Sequence, residues 1–106
     1  IYIPIGAWRV DFWVVAQALQ PSAAAISLNA ALSTSTSSAT DSDLKMLHYL
    51  ESCTGYIGLT TKGKYLNINS KTRYYVIESC NGTNISKLYC NGASSATKVM
   101  AVCAYL

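Results

Sequence analysis

Residues Trp8–Ala16, Trp-Arg-Val-Asp-Phe-Trp-Val-Val-Ala, alternate at a period of two. One face would carry Trp8, Val10, Phe12, Val14 and Ala16, and the other Arg9, Asp11, Trp13 and Val15. Alternation of β-branched and aromatic residues is typical of a β-strand. The second face becomes apolar at Trp13 and Val15, which predicts that the far end is covered on both faces, as in an interior strand. The sequence therefore predicts a sheet built around a strand over residues 7–16.

Two helices are predicted to follow this strand. Pro21 suits the first turn of a helix, and Ala24 and Leu28, with Ala31 or Leu32, then recur at helical spacing in an alanine-rich segment. This predicts a helix over residues 22–32, followed by an exposed Ser/Thr connector over 33–40. A second helix is predicted over residues 41–54. Its apolar stripe consists of Leu44, Leu47, Leu50 and Cys53, and Gly55 is a natural stop.

The rest of the chain reads as strands over residues 56–60, 64–69, 73–79, 87–90 and 98–105. A short hairpin turn at Thr61-Lys62-Gly63 is expected between the first two. The whole chain, 1–106, is predicted to be a single domain of the α+β class. Its architecture would be a two-layer α/β sandwich, a largely antiparallel sheet with two helices on one face.

The composition indicates a compact domain with a secretory history. Of its 106 residues 51% are hydrophobic and only 12% charged, about half the usual charged share. Four cysteines and two sequons, Asn81-Gly82-Thr83 and Asn84-Ile85-Ser86, favour a secreted, extracellular glycoprotein. Because the chain opens on apolar sequence without an initiator methionine or a basic n-region, we expect a mature product cut from a precursor.

Four cysteines permit three pairings, of which we favour two bridges that would stabilise the domain. Cys53–Cys103 would pin the second helix to the last strand, and Cys80–Cys90 would close the loop that carries Asn81 and Asn84.

The sequence argues against an enzyme. His48 is the sole histidine, expected to be a solvated helical residue, and paired cysteines would supply no thiolate nucleophile and no zinc ligand. Neither a Gly-rich phosphate loop nor a Gly-x-Ser-x-Gly elbow is present, so no cofactor and no metal are predicted. A small secreted ribonuclease is the enzymatic alternative. It would use Glu78, His48 and Arg73, although Glu78 and Arg73 fall on opposite faces of one predicted strand.

The charge is divided unevenly along the chain. Residues 1–55 carry two cations and four anions, whereas residues 56–106 carry six cations and one anion. Part of the cationic half alternates with tyrosine, and the predicted target-binding residues are Lys62, Lys64, Tyr65, Lys71, Arg73 and Tyr74. The charge split indicates a docking surface for an anionic membrane lipid or a cell-wall polysaccharide, and not for nucleic acid. The alternative is an ordinary solvated edge protected by lysine.

Residues Phe12–Thr40 contain no formal charge, although polar residues interrupt the stretch too often for a membrane span. One interpretation is a buried strand followed by a packed helix. The other is that residues 22–32 leave the core and lie in a bilayer once the cationic face has docked.

The apolar strand Trp8–Ala16, a helix ending near Cys53, two predicted bridges and an apolar final strand together resemble the small secreted killer toxins of yeasts and their effector relatives, of the salt-mediated killer toxin and zygocin type. The resemblance is one of profile without a diagnostic motif, so it assigns no functional residue. It implies an α/β sandwich cut from a precursor by a Kex2-type protease, which damages the plasma membrane of sensitive cells. The alternative function is a secreted, non-enzymatic glycan- or surface-recognition domain in which Tyr65 and Tyr74 stack on sugar.

Overall fold

The structure is a computed structural model that describes residues 1–90 and 97–104. Its strands are β1 (Tyr2–Ile3), β2 (Gly6–Ser33), β3 (Lys45–Ile68), β4 (Thr72–Arg73), β5 (Tyr75–Gly82), β6 (Lys87–Cys90) and β7 (Lys98–Cys103). A single 3-10 turn, Ser42–Leu44, precedes β3, and no α-helix occurs among the described residues. Strands β1 and β4 form a two-stranded sheet, and the other five form a second sheet.

Strand β2 is the centre of the larger sheet. On one edge it pairs with β3 from Gly6↔Ile68 to Ala31↔Lys45. On the other edge it pairs in turn with β7 (from Trp8), β6 (from Ala16) and β5 (from Ile26). All of these pairings are antiparallel. The strand predicted over residues 7–16 is thus the first part of a longer strand with neighbours on both sides.

Strand β2 folds back on itself. Its 28 residues would span about 90 Å if straight, whereas the longest dimension of the molecule is 49 Å. The pairing with β3 is irregular in three places, after Trp13, after Gln20 and after Ala24, and such bulges bend strands. Pro21 lies in the second irregularity, where the absence of its N–H breaks no ladder bond.

The bend brings both halves of β2 onto one hydrophobic core. Val10, Phe12 and Val14 from the first half are fully buried, as are Leu28 and Leu32 from the second, and all five belong to one cluster. A sheet folded across its own core has the layering of a β-sandwich. The fold is therefore antiparallel and almost entirely β, so the predicted α+β class with two helices is wrong.

The first predicted helix, 22–32, is the second half of β2. Its spacing also fits a strand, because Ile26, Leu28, Ala30 and Leu32 alternate at a period of two, and all four are buried. Local alanine content favours a helix, but hydrogen bonds to β3 and β5 on both edges satisfy the backbone instead. Alternate residues of this segment are therefore core residues of a strand, and the helix that the membrane hypothesis assumed is not in the structure.

The second predicted helix, 41–54, is replaced by the 3-10 turn and the start of β3. Leu44 and Met46 are buried, whereas Leu47, the centre of the predicted helical stripe, is 60% exposed. Burial at every second residue is the signature of a strand with one covered face. His48, expected on a helix surface, is instead a half-buried strand residue opposite Leu28.

The hairpin predicted at Thr61-Lys62-Gly63 is also wrong, because β3 continues through it. Lys62 pairs with Phe12 and Gly63 with Asp11. The carboxylate of Asp11 lies over Gly63, and a Cβ atom at position 63 would collide with it. The predicted strand over 73–79 is divided at Tyr74 between β4 and β5, and those over 87–90 and 98–105 correspond to β6 and β7. Tyr105 lies outside the described residues.

Neither predicted disulfide fits the structure. Cys53 pairs with Ala24 and Cys103 with Trp8, sixteen residues apart on β2. Cys80 pairs with Leu28 and Cys90 with Ala16, twelve residues apart. Neither bond is formed in the structure. Cys80 is a free, partly buried thiol, and burial raises its pKa.

The exposure of neighbouring residues in β3 gives a direct stability test. We expect Met46→Ala to lower the free energy of unfolding by about 2–4 kcal/mol, since it opens a cavity in the core. Leu47→Ala should cost about 0.5 kcal/mol or less, because that side chain is exposed. Urea unfolding of the two variants measures both values. A larger loss of unfolding free energy in Leu47→Ala than in Met46→Ala would indicate the predicted helix and contradict the strand.

Candidate functional site

The two-stranded sheet carries a patch that we call the Tyr2 patch, made of Ile1, Tyr2, Ile5, Lys71 and Arg73. It is positioned by the pairs Tyr2↔Arg73 and Ile3↔Thr72. Ile3 is fully buried in the core, so its neighbour Tyr2 points the other way and is 54% exposed. The buried isoleucine thereby anchors a short strand whose outer side chains reach solvent.

Two cations flank the ring of Tyr2. The Nζ atom of Lys71 lies 5.1 Å from the ring centroid, and Cζ of Arg73 lies 5.0 Å from it. Arg73 also lies 5.3 Å from the ring centroid of Tyr75. At these distances the negative face of an aromatic ring attracts a cation. The tyrosines therefore hold both side chains in place while leaving their positive charge available.

No carboxylate within the described ranges forms an ion pair with Lys71 or Arg73. The apolar members of the patch are similarly uncovered, with Ile1 at 51% and Ile5 at 66% exposure. Exposed isoleucines close in the chain to a tyrosine that holds two cations offer both apolar and electrostatic attraction to a partner.

Lys64 has a different role from the one predicted for it. Its Nζ lies 2.9 Å from Oδ2 of Asp41 and 2.8 Å from Oδ2 of Asp43. Asp41 also accepts a hydrogen bond from the backbone N–H of Asp43 (2.9 Å), which caps the 3-10 turn. Lys64 thus joins β3 to this turn, and its charge is neutralised. The hydrogen bond from Lys64 lowers the pKa of Asp41 below its ordinary value.

The other predicted binding residues are not at the Tyr2 ring. Lys62 is exposed on β3, six residues before Ile68 at the end of that strand. Tyr65 is 68% exposed, and its ring centroid lies 5.1 Å from Cζ of Arg9. Tyr74 is partly buried against the core. Its backbone nevertheless exchanges hydrogen bonds with Ile1 of the patch (2.9 and 2.8 Å). Of the six predicted residues, Lys71 and Arg73 therefore meet at the Tyr2 ring, and Tyr74 lies next to them with its side chain turned to the core.

Sequence reasoning missed Tyr2, Ile1 and Ile5. The first six residues are apolar and include Pro4, a pattern that indicates only a lead-in or short edge strand. The sequence could not show that Tyr2 lies opposite Arg73, because the two residues are more than seventy positions apart in the chain.

The residues of the ribonuclease alternative are not assembled. Arg73 belongs to the two-stranded sheet, whereas His48 and Glu78 flank β2 on opposite edges, facing Leu28 and Ala30. Within residues 1–90 and 97–104, no group of three His, Cys, Asp or Glu side chains is placed to hold a metal ion. The sequon residues Asn81 and Asn84 are both exposed, and their glycosylation remains a prediction.

Comparison with protein-family models, with curated proteins and with solved structures finds no match to this chain. Two features behind the killer-toxin resemblance, the helix ending near Cys53 and the bridges, are not in the structure, while the apolar first and last strands are. In the described part of the chain, no helix is long and apolar enough to cross a membrane.

The ion pairs of Lys64 predict a pH dependence of stability. Asp41 has a lowered pKa in the folded protein, so its contribution is complete above its ordinary value of 3.8 and is lost as the pH falls through the folded value. We expect Lys64→Gln to flatten the acid limb of a plot of unfolding free energy against pH below about pH 5. Lys62→Gln removes the same charge from an exposed site on the same strand and should keep the wild-type slope. Equal slopes in wild type and Lys64→Gln would contradict the assignment.

Proposed function

We propose that this protein is a secreted, non-enzymatic docking protein that binds anionic membrane lipid through the Tyr2 patch. The observation that carries the proposal is the placement, at one exposed tyrosine ring, of two cations without an ion pair in the described part of the chain. Two exposed isoleucines, Ile1 and Ile5, lie within three residues of that tyrosine in the chain. Secretion is supported by the sequons and the low charge content of the sequence.

Each component of the patch matches one layer of a membrane surface. Tyrosine is favoured at the headgroup level, where one end of the ring is apolar and the other is wet. Ile1 and Ile5 would bury apolar area in the acyl boundary, as the exposed side chains of interfacial proteins do. Lys71 and Arg73 would face the phosphate and carboxylate groups of anionic lipid. A wall polysaccharide would use the cations and leave the isoleucines without a partner.

A toxin-like perturbation of the membrane would follow from docking. Ile1, Tyr2 and Ile5 would enter between headgroups as a small apolar wedge. Residues 22–32 take no part, because Ile26, Leu28 and Leu32 form the core and their exposure would unfold the protein. In this proposal the folded sandwich stays intact and acts through its surface.

The alternative of a glycan-recognition domain built on Tyr65 and Tyr74 receives less support. Tyr65 is exposed beside the Arg9–Asp11 ion pair (2.8 Å), whereas Tyr74 is partly buried, and desolvation raises the pKa of its phenol. Two rings in such different surroundings do not make a shared stacking platform.

Vesicle binding tests the proposal. The double variant Lys71→Gln/Arg73→Gln should bind vesicles containing phosphatidylserine about thirtyfold more weakly than wild type, since each basic residue near an anionic surface contributes about 1 kcal/mol. Cosedimentation with vesicles of phosphatidylcholine alone and with added phosphatidylserine measures the difference, and dye leakage from the same vesicles reports perturbation.

The matched control is Lys62→Gln/Lys98→Gln, which removes the same charge from exposed residues outside the patch. It should retain most of the binding. Equal losses in the two double variants would show that net charge, and not the Tyr2 patch, drives association. A second variant, Ile5→Ser, distinguishes a lipid partner from a polysaccharide partner. It should weaken binding to vesicles and leave binding to a soluble anionic polysaccharide unchanged. Binding to the polysaccharide alone would overturn the lipid proposal.

A further inference from the structure

A cavity of about 410 Å³ lies between the Ser/Thr connector and the second half of β2. Its floor includes Asn29 and Ala31 of β2, and residues of β3, β5 and the connector form its walls. Ala31 pairs with Lys45 on one side and with Ile77 on the other. A small side chain between two larger ones leaves a depression in the sheet surface, and the connector turns it into a cavity.

The connector is held in shape by its own hydroxyl groups. Ser33 Oγ donates to the carbonyl of Ser38 and accepts from the backbone N–H groups of Ser35 (3.1 Å) and Thr40 (3.2 Å). Ser35 Oγ in turn accepts from the N–H of Ser37 (3.2 Å). Ser33 is fully buried, so these bonds are shielded from water. The cavity wall is therefore pre-formed, as ligand sites usually are.

Four polar side chains on the cavity wall do not take part in this hydrogen-bond network. In the described part of the chain, Asn29, Thr36, Lys45 and Ser79 make no side-chain hydrogen bond and no ion pair. They supply an amide, two hydroxyl groups and an ammonium group. Convergent polar groups without protein partners fix the orientation of a small ligand in many binding sites.

We propose that this cavity binds a small acidic saccharide, with its carboxylate or phosphate at Lys45. Amide and hydroxyl groups both donate and accept, which matches the donors and acceptors of sugar hydroxyls. The volume lies within the range of small-molecule sites. Glu78 borders the cavity from β5, but it pairs with Ala30, a core residue, so its side chain belongs to the other face of the sheet and leaves Lys45 as the charged group on the cavity face.

This site is independent of the Tyr2 patch, and its test uses soluble sugars. Saturation-transfer NMR with glucuronic acid, glucose 6-phosphate and glucose should show the two acidic sugars binding about tenfold more tightly than glucose, because a charge-assisted hydrogen bond is stronger than a neutral one. Lys45→Gln should abolish that preference. Lys62→Gln, the same change elsewhere on β3, should keep it.

Asn29→Leu fills the cavity floor and should remove binding of all three sugars. Thr36→Val, at an exposed position of the connector, is the milder variant and should weaken binding while the thermal unfolding temperature stays unchanged. An unaltered acidic preference in Lys45→Gln would overturn the proposal, as would binding that survives Asn29→Leu. Failure of all three sugars to bind wild type would also overturn it, whatever the vesicle experiments show.

Discussion

The structure depends on one constraint: the backbone of β2, 28 residues long, must be hydrogen-bonded along both edges over most of its length. Strand β3 satisfies one edge, and three separate segments satisfy the other in succession. Because a sheet this long cannot bury one face while straight, β2 bends at its irregularities and covers its first half with its second. The alternate residues of a single strand thus form much of the core, and the remaining segments complete the sheet.

The two proposed sites are consequences of this arrangement. Tyr2, the centre of its patch, lies just before β2 in the chain, where Ile3 enters the core and Tyr2 faces outward. The cavity lies at the other end of the strand, where the connector returns over Ala31 to begin β3. Both sites use short connections fixed by buried neighbours. The side chains that reach solvent there are consequently held in place without belonging to the core.

The sequence predicted the first strand well, because only a period of two fits Trp8–Val14. It failed over residues 24–32 and 44–50, where the apolar spacing fits both a strand and a helix, and where alanine and leucine favour the helix locally. The burial of Met46 and the exposure of Leu47 distinguish the strand from the helix. Which of the two side chains is buried depends on tertiary contacts that the local sequence does not show. The charge pattern found Lys71 and Arg73. It could not show that Lys64 is neutralised by Asp41, a residue 23 positions earlier in the chain.

The most direct test of the fold is to identify the two residues that lie opposite Leu28 on the neighbouring strands. Cross-strand nuclear Overhauser effects in the labelled protein should connect the backbone of Leu28 with His48 on one side and with Cys80 on the other. Both contacts are expected if β2 is the shared central strand. Contacts from Leu28 to residues three and four positions away, with neither cross-strand contact present, would indicate a helix and contradict the fold on which both proposed sites depend.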